Sequence, residues 1–171
     1  MALNSNRLAI AQGLVLLLQG ITNPSTSQPV YGLAKLGAVL DPSGVTSWAE
    51  VVDPRGKVGH AGSGGNAIGW RVEDDISFKI TSGWDYEADT TLAMTNMLTA
   101  QDIVLPILES HYQIPNPNNP SIAIASVYSV LESQGQTDTS IPVRFPNGRV
   151  YLLWTLWVLV KQQINIILQN P

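Results

Sequence analysis

The 171-residue chain carries nine Lys and Arg against thirteen Asp and Glu, a formal charge of -4, and it has no cysteine. The missing cysteine excludes disulfides, thiol catalysis and cysteine-ligated zinc or iron–sulfur centres. Basic residues are scattered singly from Arg7 to Lys161, which argues against sequence-specific binding of DNA or RNA, because such binding needs a basic stripe. A mildly acidic protein is still able to enclose nucleic acid without binding it tightly.

The length fits a single domain over residues 1–171, large enough to fold without a disulfide or a structural metal. Charged residues make up 13% of the chain, against about 25% in a typical soluble domain. Extensive sheet would explain this low fraction. We favour the alternative that subunit contacts hide much of the surface, because interface cores are depleted in charge.

The first predicted element is a helix from about residue 5 to about residue 20, with Asn4 or Ser5 as its N-cap. Apolar residues at three- and four-residue steps mark its buried face: Leu8, Ala11, Leu14, Val15, Leu18 and Ile21. The run superficially resembles a signal peptide, but Gln12 and Gly13 interrupt it and no small-residue cleavage site follows. It is also shorter than the roughly 20 residues that span a bilayer. We therefore expect it to belong to the mature fold, and we expect no membrane partner.

Alternating and apolar segments predict the first strands. Residues 30–40 read as extended, and residues 45–52 form a second candidate strand. The sequence Asp41-Pro42-Ser43-Gly44 between them is a strong turn signal, so the second strand is predicted to pair back on the first. Further strands are predicted over residues 70–80, where apolar and polar residues alternate, and over residues 122–130.

The glycine-rich stretch from Gly56 to Gly69 contains two motif-like patterns. Gly62 to Ala67 fits the dinucleotide pattern G-x-G-x-x-[GA], and Ser63 between small residues near His60 resembles a nucleophile elbow. Both motifs require a strand before the turn and a helix after it, and the helix N-terminus is what binds a pyrophosphate. Here a predicted strand follows the glycines. We therefore interpret the stretch as a long loop that joins two strands.

A central helix is predicted from about Asp89 to His111, with Asp89 or Thr90 as its cap. Its apolar residues at helical spacing are Leu92, Ala93, Met97, Ala100, Val104, Ile107, Leu108 and His111. Pro106 lies inside this pattern and removes a hydrogen bond to the carbonyl of Asp102. A kink or break is therefore expected near Thr99 to Asp102.

The last third of the chain is predicted to contain loops and strands. Prolines and asparagines keep residues 114–121 extended and irregular, and residues 133–140 form a polar loop. Pro146-Asn147-Gly148 between apolar runs predicts a hairpin. Residues 150–160, apolar on both sides, are typical of a central strand covered on both faces, with an extension toward Leu168. The whole order predicts an α+β fold: a mostly antiparallel β-sheet flanked by an N-terminal helix and a central helix, with long loops.

Residues able to support chemistry are few. His60 and His111 are the two histidines. His60 has no carboxylate within several residues of it, and His111 ends a helix, where a capping or surface role is expected rather than catalysis. The acidic cluster Glu73-Asp74-Asp75 is interpreted as a solvated strand start that discourages edge pairing. Five tryptophans, at positions 48, 70, 84, 154 and 157, suit core and interface packing better than a stacking platform for a sugar or base. We predict no catalytic, cofactor or metal site, and no enzymatic activity.

The order of elements resembles the tail terminators and related neck proteins of long-tailed bacteriophages. The resemblance rests on the helix LAIAQGLVLLL, on paired strands after PVYGLAK, on WRVEDDISFKI leading into the helix TLAMTNMLTAQDIVLPILESH, and on a closing hairpin that ends in RVYLLWTLWVLV. It covers nearly the whole chain as a pattern of elements, without a diagnostic motif.

This resemblance implies a virion protein, assembled in the host cytoplasm, that forms a homo-oligomeric ring, usually of six subunits. The ring would cap the tail tube, bind the tail-tube protein and the head-completion or connector protein, and pass DNA through its lumen without reading sequence. The family has no catalytic residues to carry over. We expect the two polar loops to contact neighbouring subunits or rings, through Gly56, His60, Gly62, Gly64, Gly65 and Asn66 in one and Gln134, Gln136 and Asp138 in the other. Alternatives are another neck component, a tail-tube protein, or a small enzyme or ligand-binding domain.

Overall fold

The computed structural model describes residues 7–52, 57–59, 69–87, 89–110, 112–132 and 142–167. Its elements in chain order are α1 (Arg7–Gly20), β1 (Leu33–Leu36), β2 (Ser47–Val52), β3 (Lys57–Gly59), β4 (Gly69–Asp85), α2 (Thr90–Glu109), β5 (Gln113–Asn116), β6 (Asn119–Glu132), β7 (Pro142–Arg144) and β8 (Val150–Ile167). The predicted α+β class, with an N-terminal and a central helix on a mostly antiparallel sheet, is confirmed.

All the described strands belong to one sheet, in the order β1-β2-β4-β8-β6-β5. Two short strands lie off this path, since β3 pairs with β4 and β7 pairs with β8. The centre is the long antiparallel ladder of β4 and β8, which runs from the pair Gly69 and Ile167 to the pair Asp85 and Tyr151. β8 is thus the central strand that its apolar sequence predicts.

Both helices pack on the same face of this sheet and form one core with it. Alternate residues of the central strands supply the sheet side, among them Phe78 on β4 and Leu156 and Val158 on β8, all fully buried. The opposite residues of the two strands are in register there, because Phe78 pairs with Val158 and Ile80 with Leu156. The alternation predicted over residues 70–80 is confirmed for Ile76, Phe78 and Ile80.

The helix α1 buries the face that its sequence predicts, with one exception. Ala11, Leu14, Leu18 and Ile21 are buried, and Ile10 and Leu17 join them, but Leu8 is 62% exposed. The predicted caps Asn4 and Ser5 lie outside the described residues. α1 crosses β5 closely at Gly13, where an added Cβ would lie 2.5 Å from the carbonyl oxygen of Pro115. The helix is therefore an integral part of the core.

The pairing predicted for the first two strands is wrong, because β1 and β2 run parallel. The predicted turn does form: Val45 N donates to Pro42 O at 3.3 Å, and Gly44 has a φ of 87°. However, the chain already turns at Gly37, whose φ is 83° and whose N–H donates to Val51 O at 2.9 Å. Residues 38–41 therefore run back in the direction opposite to β1. The second turn, at residues 42–45, reverses the chain again, so β2 runs parallel to β1. β1 is also shorter than the predicted residues 30–40.

The central helix α2 is continuous from Thr90 to Glu109, so of the kink or break predicted near Thr99 to Asp102 the break does not occur. Pro106 costs one backbone hydrogen bond, whereas Ala100, Val104 and Leu108 hold both sides of that position against the sheet. The cap is Asp89, as predicted, and its Oδ1 accepts from Leu92 N at 2.9 Å. Of the predicted buried face, Leu92 is 53% exposed, and His111 lies outside the described residues.

The segment predicted to be irregular, residues 114–121, instead forms a hairpin of β5 and β6. Its ladder is distorted, with register shifts on both sides of Pro115, where a proline cannot donate to the ladder. The hairpin predicted at Pro146-Asn147-Gly148 is confirmed: Phe145 N donates to Arg149 O at 2.8 Å, and Gly148 has a φ of 84°. β6 extends beyond the predicted residues 122–130, and β8 continues past residue 160 to Ile167, which confirms the predicted extension toward Leu168 as far as the described residues reach.

Candidate assembly surfaces

Most of the predicted contact loops fall outside the residues that the structure describes. This holds for Gly56, His60, Gly62, Gly64, Gly65, Asn66, Gln134, Gln136 and Asp138. The two ends of the glycine-rich stretch are described, and they are strands rather than loop. Lys57–Gly59 form β3, which pairs antiparallel with β4, and Gly69 begins β4. The prediction of a continuous loop from Gly56 to Gly69 is therefore wrong at both ends.

A three-stranded extension projects beyond the body of the sheet. It consists of β3 and of residues 69–75 of β4 and 162–167 of β8. The neighbours of the central ladder stop short of it: β2 pairs with β4 only over residues 79–84, and β6 pairs with β8 only up to Lys161. Among the described strands, nothing pairs with the outer edge of β8 over residues 162–167. This stretch of backbone presents amide and carbonyl groups that another strand could bind.

The acidic cluster Glu73-Asp74-Asp75 lies inside this extension, and its predicted role as an edge guard is wrong. β4 is paired on both sides here, with β3 and with β8. The register places Asp75 opposite Lys57 of β3 and opposite Lys161 of β8.

The two ends of the main sheet are protected against pairing, in contrast to the extension. At the β1 end, the side chain of Gln19 on α1 donates from Nε2 to the carbonyl oxygen of Ala34 at 3.0 Å. At the β5 end, Pro115 interrupts the ladder and the neighbouring helix α1 packs against the strand. Blocking groups and prolines are ordinary devices against edge-to-edge association. The edge of β8 is different, because residues 162–167 contain neither proline nor a charged side chain.

The face of the sheet opposite the helices is covered by no helix in the described part of the chain. On β8 its side chains are Leu153, Thr155, Trp157 and Leu159, all half-buried, in contrast to the fully buried residues between them. Within the described residues, the predicted covering of both faces is therefore complete on the helix side and partial on this one. Trp157 pairs across the ladder with Lys79, so the apolar strip is bordered by a charged residue of β4. Large half-buried apolar side chains on an open sheet are typical of a surface that contacts another molecule.

One end of that face is closed by a separate aromatic cluster of Trp48, Phe145 and Tyr151. The ring centroids of Phe145 lie 5.6 Å from Trp48 and 5.1 Å from Tyr151, and both pairs meet edge to face. Trp48 and Tyr151 are almost fully buried. The indole of Trp48 lies over Gly83 of β4, which is its cross-strand partner. The cluster thus ties the β7–β8 hairpin to β2, the strand next to the edge strand β1.

An apolar cleft of about 600 Å³ opens between the C-terminal half of α1, the end of α2 and the β5–β6 hairpin. Leu16, Ile107 and Tyr112 line its walls, with Pro115 and Pro120 from the hairpin. Leu16 is 40% exposed there. No charged side chain lines the cleft in the described part of the chain, so it adds to the uncharged surface of the protein.

Two titratable groups among the described side chains have displaced pKa values. Burial raises the pKa of Tyr31 to about 12, and the hydrogen bond from Ser82 to its hydroxyl opposes this rise. On the surface, the hydrogen bond that Asn147 Nδ2 donates at 2.9 Å holds the pKa of Asp41 below its usual range, with help from Ser43. Across the described ranges no group of three or more His, Asp or Glu is placed to hold a metal ion.

The helix α2 is long and apolar enough to cross a membrane by length and composition alone. The core helix of a soluble protein passes the same test, and five residues of α2, Ala93, Met97, Ala100, Val104 and Leu108, are buried. Their three- and four-residue spacing is that of a helix with one face on a sheet.

The sequence matches no protein-family model, and no curated protein is similar to it.

The predicted extension of the last strand toward Leu168 is confirmed as far as Ile167, and the alternation of Ile164 and Ile166 with polar residues is the signal behind that prediction. Sequence reasoning missed the strand β3 and the open edge of β8. Residues 57–59 were assigned to the glycine-rich loop that they flank. The polar cleft described below gave no signal, because it is lined by four segments that are distant in the sequence.

Proposed function

We propose that the chain is a structural subunit of a bacteriophage virion, a tail terminator whose copies form a ring. The ring caps the tail tube, joins it to the head-tail connector, and passes DNA through its lumen. In this role the protein is assembled in the host cytoplasm, needs no cofactor and catalyses no reaction. The order of elements that resembles the terminators and neck proteins is what suggests this class of protein.

The observation that carries the proposal is the unprotected edge of the three-stranded extension. Both ends of the main sheet are blocked, by Gln19 at one end and Pro115 at the other. A chain that guards those edges but leaves residues 162–167 of β8 without charge or proline has the pattern expected where a neighbouring strand adds to the sheet. Head-to-tail addition of subunits gives a closed ring when the rotation from one subunit to the next divides a full turn evenly.

Charge and apolar surface also support assembly. Only 13% of the residues are charged, and the open sheet face carries Leu153, Trp157 and Leu159 half-buried. Contact with a neighbouring subunit would cover such a strip, since the cores of subunit interfaces are rich in large apolar residues. The net charge of -4 suits a lumen through which a polyanion passes without binding.

The first experiment is native mass spectrometry of the purified chain, with negative-stain images of the same sample. A closed ring, of about six copies for this kind of cyclic assembly, would support the terminator. Long tubes would instead identify a tail-tube protein, because the same open edge would then add subunits without closing. A monomer that also fails to assemble on purified tail tubes would overturn the proposal and favour a small ligand-binding domain.

A second measurement separates a terminator from other neck components. Purified tail tubes of one length class are incubated with the chain and then offered fresh tube protein. A terminator stops further growth of the tubes and decorates one end of each. Unhindered growth from both ends, with the ring bound elsewhere or not at all, would contradict terminator function while leaving the ring itself intact.

A further inference from the structure

A second cleft, of about 230 Å³, is lined by polar residues. One wall is the loop from Asn23 to Pro29, the opposite wall is α2, and the floor is the start of β2 with Trp84 of β4. Four segments that are distant in sequence therefore meet in one depression. Its lining contains amide and hydroxyl side chains and no charged residue.

The loop wall is held in one conformation by its own hydrogen bonds. A bridge joins Thr22 to Pro29, and Asn23 N donates to Gln28 O at 2.8 Å. Inside the loop, Asn23 Oδ1 accepts from Ser25 N at 2.9 Å. Ser27 has a φ of 57°, a left-handed conformation that is uncommon for a residue other than glycine. Such a residue persists only where the surrounding structure fixes it, so this wall is built before any ligand arrives.

The α2 wall and the cleft rim present polar side chains that make no hydrogen bond to the rest of the described protein. Asn96 and Thr99 lie one turn apart on α2 and face Gln28 and Thr46 across the cleft. Within the described part of the chain, the side chains of these four residues make no hydrogen bond. In contrast, Ser47 on the floor is occupied, since its hydroxyl donates to Val30 O at 3.1 Å and accepts from Gly32 N at 3.0 Å.

The lining selects for the chemistry of an uncharged amide. Carboxamide and hydroxyl side chains both donate and accept hydrogen bonds, so they match a group that does the same. A carboxylate or ammonium group would lose hydration on entry, and no lining residue carries a compensating charge. An amide exchanges its bonds with water for bonds with Gln28, Asn96 and Thr99 at little cost.

Size and aromatic geometry argue against the main alternative, a sugar. Sugar sites usually offer an open aromatic face, but Trp84 on the floor is only 2% exposed and its ring is packed against Tyr31. The cleft is also smaller than the roughly 300–1,000 Å³ of pockets that hold whole organic ligands. One side chain of a longer molecule fits this volume better.

From the polar lining, the missing charge and the rigid loop, we infer that this cleft binds the carboxamide side chain of an Asn or Gln in a neighbouring protein chain. The bound group bridges Gln28 on the loop to Asn96 and Thr99 on α2. Its source as a neighbouring chain rests on the proposed function, whereas the amide chemistry of the cleft does not. The cleft lies at the Trp84 end of β4, whereas residues 162–167 of β8 pair with residues 69–74 at the other end, so the cleft is a contact separate from the open strand edge.

The test measures binding of small probes by NMR on the full-length, ¹⁵N-labelled chain. The probe is N-acetyl-asparagine N-methylamide, with N-acetyl-aspartate N-methylamide and glucose as comparisons at equal concentration. We expect saturable shifts for the side-chain amides of Gln28 and Asn96 with the asparagine probe alone. Equal shifts with the aspartate probe, larger shifts with glucose, or no localised shift with any probe would overturn the inference.

Matched variants on α2 exclude a general effect of surface substitution. Thr99→Val removes a lining hydroxyl and keeps the side-chain shape, and it should weaken binding of the asparagine probe about three- to tenfold, the range expected for one hydrogen bond. Thr91→Val makes the same change on an exposed part of the helix that does not line the cleft. Equal loss in both variants would overturn a role for Thr99.

The outcome is separable from that of the ring experiment. A chain that stays monomeric but binds the asparagine probe would contradict the proposed ring and support amide binding by the cleft. If the chain purifies as a ring whose copies cover the cleft, the probe cannot enter. The test is then the structure of the ring, which shows the side chain that occupies the cleft. A carboxamide of a neighbouring copy within hydrogen-bonding distance of Asn96 or Gln28 supports the inference. A charged side chain in that place, or an interface that leaves the covered cleft without a carboxamide, contradicts it.

Discussion

Trp48 of β2 lies over Gly83 of β4, so closely that a Cβ at Gly83 would sit 2.5 to 2.6 Å from three atoms of the indole ring. The two residues are cross-strand partners. Because Gly83 has no side chain, the indole can lie against the sheet and reach Phe145 and Tyr151. The glycine therefore fixes the position of the aromatic cluster.

Replacement of Gly83 by alanine should displace that indole and destabilise the protein. We expect Gly83→Ala to lower the free energy of unfolding by about 1–3 kcal/mol, the range for overpacking a filled core. Urea denaturation followed by tryptophan fluorescence measures this loss. Gly20→Ala is the matched control, because an added Cβ at Gly20 meets nothing within 4 Å. Equal stability of the two variants would show that Trp48 moves aside without cost.

Gly13 allows α1 to approach β5, and its replacement tests whether that approach is required. An added Cβ would lie 2.5 Å from the carbonyl oxygen of Pro115 and 2.6 Å from Cγ2 of Ile114. Alanine within a helix is intrinsically better than glycine by about 1 kcal/mol, but a backbone carbonyl cannot shift without moving the strand. We expect Gly13→Ala to have a lower thermal midpoint than the wild-type protein, while Gly20→Ala keeps or raises it. An increase for both variants would mean that α1 slides freely over β5.

Local patterns in the sequence predict the features that depend on residue spacing alone, such as the buried face of a strand or the start of a helix. The alternation of Ile76, Phe78 and Ile80 gives the buried face of β4, and Asp89 gives the start of α2. The parallel pairing of β1 and β2 was not predictable in this way. The turn signal at residues 41–44 is real, but Gly37 adds an earlier reversal, and its effect depends on a long-range bond to Val51.

The candidate surfaces were harder to predict than the fold because they depend on which strands stop short of others. The edge of β8 is open only because β6 leaves it after Lys161, and the register of two separate strands decides that position. The polar cleft depends on Asn96 and Gln28 lining one depression, which brings together segments with no common pattern in the sequence. Residues chosen from the loops, such as His60 and Gln134, lie outside the described residues, and their role in docking stays a prediction.

Tyr31 should make the protein less stable at high pH. Burial raises the pKa of its hydroxyl to about 12, whereas the unfolded chain has a value near 10. Between these values the unfolded state loses its proton and the folded state keeps it, so stability present below pH 10 is lost as the pH rises toward 12. The loss is of the order of 2–3 kcal/mol.

Urea denaturation at pH 8 and at pH 11 measures this effect, with Tyr31→Phe as the comparison. The phenylalanine variant should start less stable by about 1–3 kcal/mol, because Ser82 loses its buried partner, and should show a smaller further loss at high pH. The same pH dependence in both proteins would assign the alkaline loss to other groups.

The contact between Asp41 and Asn147 should be visible in the titration of the carboxyl group. Asn147 Nδ2 donates to Asp41 Oδ1 across 106 positions of sequence and is the main cause of the lowered pKa. We expect Asn147→Ala to raise the pKa of Asp41 toward its ordinary value, as measured by carbon-detected NMR. Asn116→Ala removes a similar turn asparagine on another hairpin and should leave Asp41 unchanged. An unaltered pKa of Asp41 in Asn147→Ala would mean that Ser43 and the charge of Arg149 lower it without Asn147.

The open edge of β8 gives a prediction that tests the proposed assembly directly. Residues 162–167 are uncharged, so Ile164→Lys places a charge on the edge at every subunit contact, where lysine is a common guard against pairing. We expect this variant to shift the native mass spectrum from ring to monomer while it keeps its cooperative unfolding. Val143→Lys makes the same kind of change on β7, where Val143 is 39% exposed, and should leave the ring intact. Rings of unchanged size from Ile164→Lys would remove the β8 edge from the interface, and the open face with Trp157 would then be the next surface to test.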